Sequence, residues 1–474
     1  MVAAELAPYV RQTDAADAVA SLAKALRQLG HDVTVALPRF PGLEAAGLQL
    51  ARRLTPLPLP SGGEVTVLDG QLSSGVRVVL FDAPVLFERP GVYGEGEEEY
   101  PDNPKRFGLL SEAAAALVRQ RAQQGQAFDL VHLHDWPAAL VPLSLRRLPG
   151  PSLPSVLTVH DVRRQGSFPL RDLDALGIPR ELAESEGLLL GGKINVLSCG
   201  IASADAITAA SPSYAEEMLQ EELSGPLGQV FASSNKPLIG ITNGVDYAQC
   251  NPATDTALVS RYDAEDATNK GRSKSKLLLE LGFELEPDRP LFAAFGPLTA
   301  DKGFDLLASA LPALAKQDLA LVIAGRSAEP MYAKIQALAS DYSDVFALLA
   351  DPDDAVLHRI YGAADFVLVP SRHEPCGTAQ LFGQRYGALP VVSTSGGLKD
   401  TVVDCDAQIE TGTGFVFEDL TPRGLASGVG RALAAYASPM WPRLRRRVMR
   451  LDLSWDRPAR RYLQVYRQTL AVSG

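Results

Sequence analysis

The chain has 474 residues, enough for two or three domains of ordinary size. Its formal net charge is −11, so no overall positive field attracts nucleic acid or an anionic membrane. The four cysteines form no CxxC pair, no apolar run approaches the roughly 20 residues of a membrane helix, and no basic segment opens the chain. We therefore expect a cytoplasmic protein without a disulfide framework, a zinc site or a membrane span.

The first half of the chain alternates between strand and helix patterns at spacings that fit parallel-sheet crossovers. A short strand over residues 1–4 is followed by helical spacing from Val19 to Leu29, by Gly30 as a C-cap, and by a buried strand from Val33 to Leu37. Later strands end in polar residues, and ligands bind at the carboxyl ends of parallel strands. These strand ends carry His134-Asp135, His160-Asp161 and Ser211-Pro212.

A second series of strands and helices begins after the Asn243-Gly244-Val245-Asp246 stretch. The pattern predicts helices from Phe304 to Leu314 and from Thr378 to Tyr386. The strands predicted around them are Leu291 to Phe295, Leu319 to Ala324, Phe366 to Val369 and Pro390 to Val392. Two independent doubly wound sheets fit this pattern better than one large sheet, with a boundary between residues 235 and 250.

The stretch from Pro370 to Gly377 carries the strongest chemical signal. A strand delivers Glu374 to the sheet edge, and Gly377 opens a helix near Thr378 whose backbone N–H groups can hold an anion. A carboxylate beside such a helix start suits a donor with sugar hydroxyls and a diphosphate leaving group. The alternative, a helix cap with a solvated glutamate, is the usual reading of a lone Glu-Pro.

Residues 366–404, which include Gly396-Gly397-Leu398-Lys399-Asp400-Thr401-Val402, resemble the donor-site segment of bacterial glycogen synthases and plant starch synthases. The resemblance continues in order over nearly the whole chain. Its other motifs are Tyr100-Pro101-Asp102-Asn103, His134-Asp135-Trp136, Thr158-Val159-His160, Lys193-Ile194-Asn195, Ser211-Pro212-Ser213-Tyr214, Asn251-Pro252-Ala253-Thr254-Asp255, Lys302-Gly303 and Ser454-Trp455.

The resemblance implies an α/β protein with the glycosyltransferase-B fold, in which two facing Rossmann-like, doubly wound domains enclose a deep inter-domain cleft. The first domain would span residues 1–242 and the donor domain residues 243–450, with a final helix in 451–474 crossing back to the first domain. The implied activity is retaining transfer of glucose from ADP-glucose or UDP-glucose to the non-reducing end of an α-1,4-glucan such as glycogen. Neither a cofactor nor a metal is implied, because a lysine and helix dipoles do the work of an ion.

The resemblance also assigns roles to individual residues. Three residues would be catalytic. Glu374 would hold the donor glucose and His160 would line the glucosyl pocket. Lys302 would neutralise the departing diphosphate. The residues implied in donor binding are Arg11, Asn243, Cys376, Gly377, Thr378 and Gly397. Asp17 and Asp135 would lie on the acceptor and sugar side.

Two departures from the family pattern fall on the donor-phosphate site. Arg11-Gln12-Thr13-Asp14 stands where the family has Lys-Thr-Gly-Gly, so both glycines that allow close backbone approach are replaced. Pro297 stands where the family has an arginine, and proline offers neither a charge nor an N–H. A catalytically weak or inactive glucan-binding or regulatory homologue is therefore the alternative, and a glycoside hydrolase is a third hypothesis. The nucleotide of the donor and the oligomeric state stay open.

Weaker signals are interpreted as structural. Asp351-Pro352-Asp353-Asp354 resembles an Asp-x-Asp metal motif, but it precedes a helix that begins near Ala355, which favours helix capping. Each tryptophan sits in an apolar context that predicts core packing rather than sugar stacking. These are Trp136, Trp441 and Trp455.

Overall fold

Two separate parallel sheets organise the chain. The computed structural model describes residues 1–43, 47–96, 98–284, 286, 288–327 and 330–473. One unit comprises Met1–Asn243 together with Trp455–Gly474, and the other comprises Gly244–Ser454. The prediction from sequence had placed these divisions after residues 242 and 450. In the described part of the chain, no helix combines the length and the apolar character that a membrane span requires.

The first unit alternates strands and helices along residues 1–243. Its strands are β1 (Thr34–Pro38), β2 (Leu50–Arg52), β3 (Leu57–Pro58), β4 (Glu64–Gln71), β5 (Arg77–Asp82), β6 (Gly94–Glu95), β7 (Glu98–Glu99), β8 (Val131–His134), β9 (Ser155–Val159), β10 (Ser167–Phe168), β11 (Leu189–Leu190), β12 (Lys193–Asn195), β13 (Ala206–Ala209) and β14 (Leu238–Gly240). Its helices are α1 (Ala15–Gln28), α2 (Pro84–Phe87), α3 (Asn103–Gln123), α4 (Asp135–Ala138), α5 (Val141–Arg146), α6 (Arg180–Ser185), α7 (Val196–Ser203), α8 (Pro212–Glu217), α9 (Glu221–Ser224) and α10 (Leu227–Ser233), with 3-10 turns at Leu170–Asp172 and Asp174–Leu176.

In the main sheet of the first unit, the order of the strands reverses at Val2. Strands β1, β5, β4 and β2 follow one another on one side, and β8, β9, β13 and β14 follow on the other. Val2 bridges the two groups in parallel, to Ala36 of β1 and to Leu133 of β8. Such a reversal of strand order opens a crevice at the carboxyl ends of the strands beside it. The segment after Val2 and the segment after β8 therefore lie at the place where this fold binds ligands.

The second unit contains a six-stranded, fully parallel sheet. Its strands are β15 (Leu291–Gly296), β16 (Ala320–Gly325), β17 (Phe346–Ala350), β18 (Phe366–Val369), β19 (Leu389–Ser393) and β20 (Phe415–Phe417). Its helices are α11 (Lys270–Glu280), α12 (Phe304–Leu314), α13 (Pro330–Asp341), α14 (Asp354–Ala363), α15 (Ala379–Arg385), α16 (Gly397–Thr401), α17 (Pro422–Tyr436) and α18 (Trp441–Met449). The order β17-β16-β15-β18-β19-β20 is the Rossmann order 3-2-1-4-5-6, so the change of direction lies between β15 and β18.

Both sheets are covered by helices, which explains why their strands are apolar throughout. Every residue of β1, β9, β16, β18 and β19 is buried. In the second unit, the stacked rings of Phe292 and Phe366 lie 4.5 Å apart and join β15 to β18 in the core. Trp136, Trp441 and Trp455 are buried, which confirms their prediction as core residues.

The final helix, α19 (Asp456–Ser473), belongs to the first unit. It packs against α1 and beside β9. The hydroxyl of Tyr466 in α19 lies 2.7 Å from Nδ1 of His132 in β8, so a polar contact adds to the apolar packing. The α/β class with two Rossmann-like units, as predicted from the sequence, is confirmed.

Candidate functional site

In the second unit, the loops that follow β15 and β18 carry the two strongest candidates from the sequence. The first loop runs from Pro297 to Gly303 and leads into α12, and the second runs from Pro370 to Thr378 and leads into α15. Both loops leave the carboxyl ends of strands that flank the change of direction in the sheet. That is the ligand-binding edge of a doubly wound sheet. Lys302 lies on the first loop and Glu374 on the second.

Lys302 and Glu374 form a bidentate ion pair. The Nζ atom of Lys302 lies 2.8 Å from Oε1 and 2.9 Å from Oε2 of Glu374. The hydroxyl of Ser371 donates to Oε2 at 2.9 Å, and the glutamate is only 5% exposed. A buried carboxylate needs this many partners, because a buried charge without them is costly. The structure thus brings together two residues that stand 72 positions apart.

Backbone contacts between the two loops hold this ion pair in place. The carbonyl oxygen of Asp301 accepts hydrogen bonds from the backbone N–H groups of Arg372 (2.7 Å) and His373 (3.2 Å). Gly303 has a φ of +75°, and a Cβ there would lie 2.0 Å from the carbonyl oxygen of Pro370. Only glycine permits that approach. In the sequence, Lys302-Gly303 was recognised only as a motif that resembles the family, and its contact with Pro370 was not predicted.

The predicted donor-binding backbone of Cys376, Gly377, Thr378 and Gly397 forms one closely packed group. Gly377 has a φ of +76°, and Thr378 is the N-cap residue of α15. The N–H of Gly397 donates to the carbonyl oxygen of Glu374 at 3.0 Å, and a Cβ at Gly397 would lie 2.5 Å from the carbonyl oxygen of Cys376. The structure therefore places these four residues beside the buried glutamate.

Gln380 supports this backbone and was missed at the level of sequence. It is fully buried on α15, and its Nε2 donates to the carbonyl oxygens of Cys376 (2.9 Å) and Gly377 (3.0 Å). The same nitrogen lies 3.1 Å from the hydroxyl of Thr401 on α16. Gln380 stands only three residues after Gly377, but the sequence gives no signal of its role, because that role depends on the turn made by Gly377.

Pro297 lies directly after β15, at the edge that carries Lys302. Gly296 of β15 pairs with Gly325 of β16, so the residues that follow them, Pro297 and Arg326, leave neighbouring strands side by side. The proline supplies no donor there. Lys302 is therefore the cation that this loop itself provides.

In the first unit, the loop that follows Val2 places Arg11 against Asp17. The Nε atom of Arg11 donates to Oδ2 of Asp17 at 2.8 Å, and both side chains are partly exposed. Arg11 was predicted to bind the donor and Asp17 to lie on the acceptor side. The structure pairs them with each other at the start of α1.

Glu5 organises the same loop and was not singled out in the sequence. Its carboxylate is 2% exposed and accepts hydrogen bonds from the backbone N–H groups of Gln12 (2.5 Å) and Thr13 (2.7 Å) and from the hydroxyl of Tyr93 (2.9 Å). Burial raises the pKa of Glu5, while these hydrogen bonds oppose the rise. The backbone donors of the loop that replaces the family's Lys-Thr-Gly-Gly are thus bound by a protein carboxylate.

Asp135 and His160 meet at the ends of β8 and β9. Asp135 has a φ of +57°, a left-handed conformation that aspartate tolerates better than most residues. Its Oδ1 accepts a hydrogen bond from the backbone N–H of His160 at 2.6 Å. Burial raises the pKa of Asp135 to about 7 and lowers the pKa of His160 to about 4, so the imidazole is uncharged at neutral pH.

The raised pKa of Asp135 predicts a pH-dependent stability. Native Asp135 keeps its proton up to about pH 7, whereas an unfolded aspartate releases it near pH ~4. The native state then binds more protons in this interval, so this group makes the free energy of unfolding fall as the pH rises from about 4 to 7. Asparagine also tolerates the left-handed φ of residue 135, and the Asp135→Asn variant lacks this contribution.

Urea denaturation in steps from pH 4.5 to 8 measures that difference. The variant is expected to gain stability over the wild type as the pH rises, with the gain levelling off above the pKa of Asp135. Parallel stability curves for the two proteins would show that Asp135 is ionised in the native state throughout.

Asn243, the last residue of the first unit, is also buried. Its side-chain Oδ1 has no hydrogen-bond partner among the residues that the structure describes. Within those same residues, no group of three or more His, Cys, Asp or Glu side chains is arranged to hold a metal ion. Asp353 accepts a hydrogen bond from the N–H of Val356 at 2.8 Å, which confirms the capping interpretation of the Asp-rich stretch.

Comparisons with known proteins agree with this architecture. Residues 1–233 match the family model of the starch synthase catalytic domain, and residues 282–445 match that of glycosyl transferases group 1. A glycogen synthase of Nitrosomonas europaea is 35% identical over 98% of this chain and 96% of its own length. A glycogen synthase of Thioalkalivibrio sulfidiphilus is 37% identical, with 98% of each chain covered.

Solved structures give the same answer for the fold. The catalytic domain of starch synthase IV from Arabidopsis thaliana, bound to ADP and acarbose, superposes with a TM-score of 0.88 at 28% identity, covering 99% of this chain and 98% of that one. A sucrose-phosphate synthase of Thermosynechococcus elongatus has a TM-score of 0.61 at 19% identity, covering 99% and 96%, and supports the glycosyltransferase-B fold alone. On this full-length similarity, the chain belongs to the glycogen synthase family.

Proposed function

We propose that this protein is a glucosyltransferase of the glycogen synthase type, which moves glucose from a sugar nucleotide to the non-reducing end of an α-1,4-glucan with retention of configuration. The observation that carries the proposal is the bidentate pair of Lys302 and Glu374 on the loops after β15 and β18. A carboxylate that binds sugar hydroxyls and a cation that neutralises a diphosphate are the two functions that sugar-nucleotide cleavage requires. We propose ADP-glucose as the preferred donor, because the similar starch synthase IV was solved with ADP.

The chemistry assigned to Lys302 follows from charge. When the bond between the anomeric carbon and the diphosphate oxygen breaks, its electron pair leaves with the nucleoside diphosphate, and negative charge grows on that oxygen. A cation already fixed by Glu374 stabilises this charge without having to reorganise. The glucan hydroxyl forms the new bond on the same face of the sugar, and its proton leaves with the departing phosphate.

The backbone around Glu374 is suited to bind the donor. Gly377 and Gly397 carry no Cβ, and the space that a Cβ would need is filled by the side chain of Gln380 at Gly377 and by the backbone of Cys376 at Gly397. The two glycines therefore let this backbone pack closely beside Glu374. Gln380 fixes the carbonyl groups of Cys376 and Gly377, so the N–H groups of Gly377 and Thr378, which lie in the same peptide planes, have defined directions. In the first unit, Asp135 and His160 are proposed to bind the transferred sugar, with Asp17 on the acceptor side.

The test is incorporation of labelled glucose into glycogen. Purified protein is incubated with glycogen and labelled ADP-glucose, with UDP-glucose in a parallel reaction, and the polymer is precipitated and counted. We expect label in the polymer, faster from ADP-glucose, at a rate that EDTA does not change. Glycogen binding without incorporation from either donor would identify a glucan-binding homologue instead. Release of glucose from glycogen without any donor would identify a hydrolase.

A further inference from the structure

His160 does not stand alone at the end of β9, because a second buried histidine contacts it. Strands β8 and β9 are parallel neighbours, and His134 at the end of β8 pairs with Thr158 near the end of β9. His134 and His160 therefore lie together at the edge formed by the carboxyl ends of these strands. The Nδ1 atom of His134 lies 3.1 Å from the Nε2 atom of His160. The two rings are stacked with 5.4 Å between their centroids and 20° between their planes.

Both imidazoles are uncharged, so a single hydrogen lies between Nδ1 of His134 and Nε2 of His160. Burial lowers the pKa of His134 well below its ordinary value and lowers the pKa of His160 to about 4. A neutral imidazole has one N–H donor and one bare nitrogen acceptor. In the bond between them, one histidine is therefore the donor, and this choice determines which nitrogen of His160 carries its proton.

The remaining nitrogen of His134 decides between the two arrangements. Its Nε2 is buried and has no hydrogen-bond partner within the described part of the chain. If His160 were the donor, the proton of His134 would lie on this Nε2, as a buried N–H without an acceptor. Buried donors without partners are rarer than under-satisfied acceptors, and leaving one costs its full desolvation. His134 is therefore the donor through Nδ1, and its Nε2 is a bare acceptor.

We propose that His134 is a positioning residue that holds His160 with its proton on Nδ1, so that His160 donates a hydrogen bond to a hydroxyl oxygen of the transferred glucose. The backbone of His160 is held at the same time, because its N–H donates to Asp135 at 2.6 Å. His160 then acts as a fixed donor and not as a general base. This inference rests on the proposed function for the identity of the sugar, but the tautomer itself is independent of activity.

Nitrogen-15 NMR of histidine-labelled protein reads the tautomer directly. The wild type is expected to show a protonated Nδ1 and a bare Nε2 for His160, whose signals are assigned by their loss in His160→Asn. In His134→Leu, the donor is absent, and the signals of His160 are expected to shift toward exchange between the two tautomers. In His134→Asn, an amide N–H takes the place of the Nδ1 donor, and the wild-type pattern is expected to return.

Kinetics provide the second readout. His134→Leu is expected to lower kcat about tenfold, since His160 loses a fixed donor, with little change in KM for glycogen. His134→Asn is expected to recover most of that loss. A purely structural role would lower the melting temperature of both variants and would not separate them in kcat.

His132, on the same strand, is the matched control. Its two ring nitrogens contact Thr158 (2.6 Å) and Tyr466 (2.7 Å), and neither contacts His160. His132→Phe is expected to lower the melting temperature while leaving the tautomer of His160 and kcat unchanged. A wild-type His160 protonated on Nε2 would overturn the proposal, as would a His134→Leu variant with unchanged tautomer and kcat. A wild type without transferase activity but with the expected tautomer would refute the proposed function alone.

Discussion

Replacing Glu374 by glutamine is expected to lower kcat/KM for glucosyl transfer by about two to three orders of magnitude. Glutamine keeps the size of the side chain but removes the charge that holds Lys302 from both carboxylate oxygens. Removing one preorganised group that stabilises charge in a transition state costs about 2.7–4 kcal/mol, and each ~1.4 kcal/mol corresponds to a factor of ten in rate. The loss should appear mainly in kcat, because the pair acts where charge develops.

A double-mutant cycle separates joint action from independent contributions. Lys302→Met is expected to reduce the rate about as much as Glu374→Gln, and the double variant should be little worse than either single variant, because the two residues act as a unit. Lys316→Met is the matched control, since Lys316 is exposed just beyond the other end of α12 and should keep wild-type kinetics. Strictly additive losses, or a Glu374→Gln variant with normal kcat, would show that the pair does not carry the reaction.

Replacing Asp365 by asparagine is expected to remove about 3–5 kcal/mol from the free energy of unfolding of residues 244–454. Asp365 lies just before β18, and its carboxylate bonds Lys274 at 2.7 Å and Arg445 at 3.1 Å. The side chains of Asp365 and Lys274 are each only 4% exposed. Without the carboxylate, buried Lys274 and partly buried Arg445 lose the anion that they share. They lie near Lys270, whose own pKa burial lowers well below the ordinary value.

Calorimetry and urea denaturation measure this loss, with Asp318→Asn as the control. Asp318 is 85% exposed and lies 3.7 Å from Arg289, so its replacement should change the free energy of unfolding by less than about 0.5 kcal/mol. If Asp365→Asn cost no more than the control, the prediction would be wrong, and the ion pairs of Asp365 would make no net contribution to stability. The prediction concerns the scaffold of the donor-side sheet rather than the reacting groups.

The sequence by itself determined the architecture, because both sheets are built from short apolar strands with polar residues at their carboxyl ends. Strand β18 and helix α12 were predicted with the bounds that the structure has, and most other predicted strands shift by a residue or two. The strand predicted over residues 1–4 is reduced to a bridge at Val2, which pairs with Ala36 and Leu133. The spacing of apolar residues in a helix or a strand is a local property, so it can be recognised in a single sequence. The ordered motifs likewise carried the family. Glu374 stood out because it follows a predicted strand, whereas the role of Lys302 came from the resemblance to the family.

Tertiary structure decided which of these side chains touch. Lys302 and Glu374 stand far apart in the chain, and only the neighbouring positions of β15 and β18 bring their loops together. Glu5 and Gln380 gave no signal, because a buried polar residue in an apolar segment looks the same whether or not it has a partner. His134 stood out as a polar strand-end residue, but its contact with His160 was not predicted. The roles of all three depend on side-chain direction across the sheet, on the positive φ of Gly377 and Asp135, and on the hydrogen bonds that burial makes obligatory. Contacts of this kind join residues that are distant in sequence, so they are set by packing and not by local pattern.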